Sequence, residues 1–320
     1  MINLEIDESS LENVGAIPEH VDCLTLVNRC QVSVSSEDVV NRLSRENDFK
    51  NLSRVVLAES SMLIEVEAFS KFESISSLSF ETNSITDFSS LSLLESLESV
   101  EVARNRRADY STLSCGSVVK IGIGSPTEQQ LIDIAKLKGI NKIGIMDADF
   151  FLIPAGLPEG VSRLSIIKGK GGLLDLSMVE SLVELELRLC AKLEAMALPA
   201  NVTKLRLEDC KKCDINKIIG GDLRCLVLQN IAPAESWESA AMWPSLTRIG
   251  MSGTWAKNLR MGEIRDLCDI EEISAPSLKM TEEEAQELSK INRGILVSVG
   301  GYIFRNGTRR QYWEGSRDIL

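Results

Sequence analysis

Leu182 to Cys210 reads LVELELRLCAKLEAMALPANVTKLRLEDC, and its two ends are copies of one phrase. L-x-x-L-x-L-x-x-C is met by Leu182, Leu185, Leu187 and Cys190, and again twenty residues on by Val202, Leu205, Leu207 and Cys210. Alternation of apolar and polar residues over so short a run belongs to a strand with one buried side, and the anchor three residues upstream turns the chain into it. A single such strand cannot bury its apolar side alone, so the phrase predicts stacking on copies of itself.

The copies are there in both directions. First anchors recur at Val21, Leu52, Ile75, Leu97, Val118, Ile140, Val161, Leu182, Val202, Leu223, Leu246 and Ile270, mostly twenty to twenty-four residues apart. The paired anchors keep phase, from Leu24/Leu26, Val55/Leu57 and Leu78/Phe80 through Leu226/Leu228 to Ile249/Met251 and Ile273/Ala275. Weaker copies stand at Leu4/Ile6 and Val297/Val299. Three return segments have helix signals: SSEDVVNRLSREN, SPTEQQLIDIAKLKG ending at Gly139, and TEEEAQELSKINRG with a capping box at Thr281/Glu284 and a stop at Gly294. The other returns are too short for a full helix and are expected as 3-10 turns or extended chain. GYIFRNGTRRQYWEG places Asn306-Gly307 between aromatic-rich runs, which predicts a hairpin.

These residues resemble the leucine-rich repeat superfamily over nearly the whole chain. IPEHVDCL (Ile17–Leu24), LPEGVSRL (Leu157–Leu164) and LPANVTKL (Leu198–Leu205) resemble its short-repeat bacterial class, which includes effectors. The resemblance implies an α/β solenoid, a horseshoe of 13–14 repeats with a parallel sheet on the concave side and short helices or 3-10 turns on the convex side. Residues 1–300 would form the solenoid, with 1–20 as an N-terminal half-repeat, and 301–320 a C-terminal hairpin cap. It also implies a protein-binding role, of the effector or toxin-inhibitor (immunity) type. Asparagine, which in this family ties neighbouring turns together at the ninth position, stands there only at Asn83 and Asn105.

Composition narrows the function. A net charge of −12 argues against nucleic-acid or anionic-membrane binding, both of which need a positive footprint. Aromatic residues make up only 5% of the chain, which fits an interior of stacked aliphatic layers. MINLEIDESS has neither a basic nor an apolar leader region, and no apolar run approaches the ~20 residues of a membrane span. The expectation is a cytoplasmic monomer, signal-less secretion remaining open, with reduced cysteines at core positions.

Catalytic chemistry finds little support. His20 is the single histidine and no nucleophile is marked as its partner. KGKGGLLDL (Lys168–Leu176) lacks the phosphate-loop order and falls where the repeat turns. Cys210-x-x-Cys213, with Cys190 and Cys225 a repeat away on either side, suggests a zinc site, but Cys190 and Cys210 are ladder positions and Cys225 is an outward one. No catalytic residue, metal or cofactor is therefore assigned.

The working surface is expected at positions three, five and seven of the phrase, which point away from the core. Position three is basic for an acidic protein: Lys120, Lys142, Arg163, Lys204 and Arg248. Gly122, Gly144 and Ser165 at position five would leave a trough beside these cations, and Glu184, Glu186, Arg188, Arg206 and Glu208 a mixed-charge cluster. An acidic patch on a protein partner would suit that surface. A second candidate lies C-terminally at Trp255, Arg309, Arg310, Tyr312 and Trp313, where an adaptor would hold a second partner.

Overall fold

The computed structural model describes residues 2–5, 21–27, 41, 51–58, 73–81, 87–103, 105–113, 116–232, 243–252, 271–274, 281–291, 296–299, 302–305 and 307–311. They fall into two compact units, Met1–Ala148 with Ala155–Val161, and Asp149–Pro154 with Ser162–Leu320.

In the first unit, β1 (Ile2–Glu5), β2 (Cys23–Val27), β3 (Arg54–Ala58), β4 (Ser77–Glu81), β5 (Ser99–Val102), β6 (Lys120–Gly124) and β7 (Lys142–Met146) pair in chain order, all parallel. The register sets each anchor against its copy: Val55 faces Leu78, Leu78 faces Val100, Val100 faces Ile121, and Ile121 faces Ile143. Val55, Leu78, Val100 and Ile121 expose nothing to solvent. The repeat period thus becomes apolar layers, and one strand's apolar side is covered only because the next strand continues it.

The second unit contains β8 (Arg163–Ile167), β9 (Leu173–Asp175), β10 (Glu184–Arg188), β11 (Ala195–Leu198), β12 (Lys204–Glu208), β13 (Ile218–Gly220), β14 (Cys225–Gln229), β15 (Arg248–Ser252), β16 (Glu272–Ser274), β17 (Leu296–Val299), β18 (Tyr302–Arg305) and β19 (Thr308–Gln311). β8, β10, β12, β14, β15, β16 and β17 form its main parallel sheet in that order. The returns between β8 and β14 are too short for helix and run extended, so that β9, β11 and β13 pair with one another as a second parallel sheet. Leu174, Met196 and Ile218 project from it into the core. Both sheets satisfy in strand pairing the backbone groups that a buried loop would leave unpaired. Each unit is a solenoid of parallel strands, built on the predicted anchors.

A feature absent from the sequence pattern closes six successive turns of the described residues. Position eight adopts a left-handed backbone at Ser125, Asp147, Lys168, Leu189, Asp209 and Asn230, with φ between 49° and 60°. The corner lets the N–H of Leu189 donate to Glu208 O at 2.8 Å and that of Asp209 to Gln229 O at 2.9 Å, extending the ladder past the strand. Side chains link some corners as well: Ser125 Oγ donates to Asp147 Oδ2 (2.9 Å) and Asn230 Nδ2 to Asp209 Oδ1 (3.0 Å).

Helix α1 (Glu128–Ala135) starts at a Thr127–Gln130 capping box, and Gly139 follows at φ +84°. Gln130 also donates through Nε2 to the carbonyls of Asn105 and Ala108, tying the helix to the preceding turn. Helix α2 (Glu282–Ile291) has the predicted Thr281/Glu284 box, at 2.8 and 3.2 Å. The first predicted helix lies outside the described residues except for Asn41, which is helical. 3-10 turns fill returns at Ser89–Leu93, Tyr110–Thr112 and Ile215–Lys217. Among the described residues, no helix is long and apolar enough to cross a membrane.

Candidate functional site

Strand alternation that buries positions four and six turns three, five and seven outward, and the register lines them up in rows. In the first unit Arg54, Ser77, Ser99, Lys120 and Lys142 form one row. In the second, Arg163, Glu184, Lys204, Cys225, Arg248 and Glu272 form another. These rows contain the cations expected from the sequence, and most are already matched.

Glu101, at position five of β5, is the hub of the first unit. Its carboxylate meets Lys120 at 2.8 Å and Arg54 at 3.6 Å. To do so its side chain crosses Gly122, where an added Cβ would lie 2.9 Å from Glu101 Cγ. The trough expected at Gly122 is therefore occupied by the protein's own acid. Arg54 and Glu101 approach each other across β4, and Ser79 between them is only 7% exposed although its position points outward. Lys142, beside Gly144, has no ion pair among the described residues.

In the second unit the mixed-charge cluster is a cross-strand code. Glu184, Glu186 and Arg188 stand opposite Lys204, Arg206 and Glu208, so every facing pair is of opposite sign. Arg206 reaches Glu186 (3.5 Å) and Glu208 (3.4 Å), Arg188 reaches Glu208 (3.0 Å), and Glu184 turns instead to Arg163 (3.3 Å). Ser165 Oγ donates to Glu186 at 3.3 Å. Arg248 and Glu272 approach only to 3.9 Å. Lys204, its facing acid drawn away, has no ion pair among the described residues. Such half-exposed pairs contribute ~0–1 kcal/mol each to stability, so their main effect is to fix where charge sits.

The thiols divide by position. Cys190 and Cys210 are fully buried at position nine, where their Sγ atoms lie 3.4 Å from Arg188 O and 3.5 Å from Glu208 O. They thus bond to strand-end carbonyls where the family resemblance implies asparagine. The neighbouring thiol holds Cys190 below the ordinary thiol range and pushes Cys210 above it, with burial adding to the latter. Burial pushes Cys213 up to about 12. Cys225 is half-buried on the outward face, away from these three, and burial raises it too, against the pull of Lys204 and Arg248. Among the described residues no three His, Cys, Asp or Glu side chains are placed to hold a metal ion. Lys168 to Gly171 is the turn of a repeat: Lys168 is its left-handed corner and Gly169 packs where a side chain would collide with Phe150.

At the C-terminal end the hairpin of β18 and β19 pairs antiparallel onto β17, with Gly307 at φ +76° in its turn. Gln286 Nε2 donates to Gly307 O (2.7 Å) and Gly307 N–H to Ser289 Oγ (2.9 Å), fastening the turn to α2. Arg309 pairs with Glu282 at 2.6 Å and stacks 3.7 Å over the Tyr302 ring. Arg310 sits on β19, and Trp255, Tyr312, Trp313 and His20 lie outside the described residues. Trp243 is core, 2% exposed, its indole N–H donating to Gly220 O at 3.0 Å.

No family model matches the sequence, and no curated protein matches it. Among solved structures the chain is similar to an internalin of Listeria monocytogenes, at 11% identity and TM-score 0.32 over 92% of this chain and 84% of that one. It is likewise similar to a leucine-rich-repeat protein of Leptospira interrogans, at 12% identity and TM-score 0.37 over 92% of this chain and 88% of that one.

Proposed function

We propose that the chain is a non-enzymatic protein-binding module that docks a partner on the outward face of its main parallel strands and covers a functional surface of it, in the manner of an effector or a toxin inhibitor. One observation supports this most. The whole chain carries −12, yet in both units the outward positions just described set every carboxylate against a cation and leave a lysine over, Lys142 in one and Lys204 in the other. The negative charge lies elsewhere on the molecule. A partner with an acidic patch would be drawn to these outward positions in either unit, which sets association rate and orientation more than affinity.

The adaptor alternative needs a second free surface at the C-terminal hairpin, and Arg309 there is engaged with Glu282 and Tyr302. The single-surface reading is therefore preferred, with a cytoplasmic monomer as the working form.

Affinity capture from the native cell lysate with wild type, Lys142→Glu and Lys204→Glu tests it, with Lys212→Glu in a repeat turn as control. The expected result is one partner held by wild type and the control, with slower association and weaker salt dependence for a face variant. Equal capture and equal kinetics by all four proteins would remove the function from this face.

A further inference from the structure

Arg54, Lys120, Arg163, Arg188, Arg206 and Arg248 each reach a carboxylate of their own sheet. The loosest arrangement in the second unit surrounds Cys225, which the register places between Lys204, without an ion pair among the described residues, and Arg248, whose contact to Glu272 is a long 3.9 Å. The next row along is Arg206, Val227 and Gly250. An added Cβ at Gly250 would meet Val227 only at an ordinary 3.5 Å, so this floor is low and open. Two cations thus flank a small apolar floor of Cys225, Val227 and Gly250, and the acids of the row, Glu184 and Glu272, stand one strand further out on either side.

The first unit displays what fills such a place. There Arg54 on β3 and Lys120 on β6 are gathered by one carboxylate, Glu101, whose aliphatic stem lies on Gly122. Lys204 and Arg248 are closer, two strands or on the order of 10 Å apart at their Cα atoms. A carboxylate above Cys225 is within reach of both.

Building on the protein-binding reading, we propose that the Lys204–Cys225–Arg248 row is the receptor point for a partner's carboxylate, an Asp or Glu side chain whose apolar neighbour seats on Val227 and Gly250. The partner's acid would take the part that Glu101 plays within the chain itself.

Cys225 provides a reporter inside the site. Folded full-length protein at low ionic strength is alkylated with iodoacetate or with iodoacetamide, and modification at Cys225 is followed by peptide mass mapping. Both reagents form the same S–C bond with loss of iodide and of the thiol proton, and only iodoacetate has the carboxylate. Two cations ~6 Å away and the two acids ~10 Å away give, in water, about three-fold net local enrichment of an anion. The expected result is therefore an iodoacetate-to-iodoacetamide rate ratio at Cys225 about three-fold above that of the same thiol in the urea-unfolded chain, falling in Lys204→Gln/Arg248→Gln and in high salt. Equal ratios in folded and unfolded wild type overturn the proposal without reliance on any variant. Capture separates it from the broader reading: a partner kept by Lys204→Gln/Arg248→Gln overturns the receptor point and leaves protein binding intact. Absence of any partner for wild type defeats the broader reading, and the alkylation ratio still decides whether the row selects carboxylates.

Discussion

Replacing Gly220 by alanine should weaken the protein far more than replacing Gly139, although the two glycines share nearly the same backbone, φ +80° and +84°. A left-handed L-residue costs ~1–2 kcal/mol, and the narrower unfolded ensemble of alanine returns ~0.4–1 kcal/mol. At Gly139 nothing lies within 4 Å of the added Cβ, so that balance, about 1 kcal/mol, is the whole effect. At Gly220 the Cβ would collide with the carbonyl oxygen of Leu198, which pairs with Gly220 across β11 and β13. Backbone cannot rotate aside as a side chain can, and the two strands must part by on the order of 1 Å. Overpacking of this kind costs ~1–3 kcal/mol. Disturbing the Trp243 bond to Gly220 O adds ~1 kcal/mol. Gly220→Ala should therefore lose about 3–5 kcal/mol in all. Urea unfolding followed by far-ultraviolet circular dichroism and by tryptophan fluorescence measures both variants. Equal losses at the two positions would refute the reasoning, because the second sheet would then not hold its strands at the close approach on which it depends.

Ser289→Ala should remove the acceptor of the Gly307 N–H and cost ~1 kcal/mol; hydrogen exchange should quicken in the 302–311 hairpin before it does in β8 to β14. Glu101→Gln frees Arg54 and Lys120 yet should cost no more than ~1 kcal/mol, because all three side chains are a third or more exposed; a loss above ~3 kcal/mol would mean the hub is structural. Cys213 titrates near 9.0 when unfolded and about 12 when folded, so only the unfolded thiol ionises between those values and stability should fall as pH rises from 9 towards 12. Cys213→Ala should flatten that decline in alkaline denaturation curves, and an unchanged slope would show that the thiol is not sealed in the core.

The repeat phase was readable because it depends on one residue property recurring at a fixed spacing, and Val55, Leu78, Leu185 and Leu207 are buried where that spacing puts them. The hairpin and the caps of α1 and α2 were readable for the same local reason, a few residues with distinctive backbone chemistry. The second sheet was not, since Leu173–Asp175 and Ile218–Gly220 are three residues long and show no alternation to detect. Nor was the left-handed column, whose occupants include Lys168 and Leu189, residues with no preference for that conformation. On the candidate face, the identities of the cations were legible and their availability was not. Lys120 and Lys142 look alike in sequence; Glu101 takes one and leaves the other, a distinction that needs the register of β5 on β6.

The alternating signs on β10 and β12 also act as an address. If Val183 to Val202 were excised, the strand after Arg163, Ser165 and Ile167 would present Lys204, Arg206 and Glu208, and Arg163 would meet a like charge in place of Glu184. The apolar anchors would accept that shift without complaint, since leucine stacks on leucine in any order. Charge is thus what distinguishes one repeat from the next, opposing slippage during folding and making duplication or loss of a single turn costly in a chain whose interior would tolerate either.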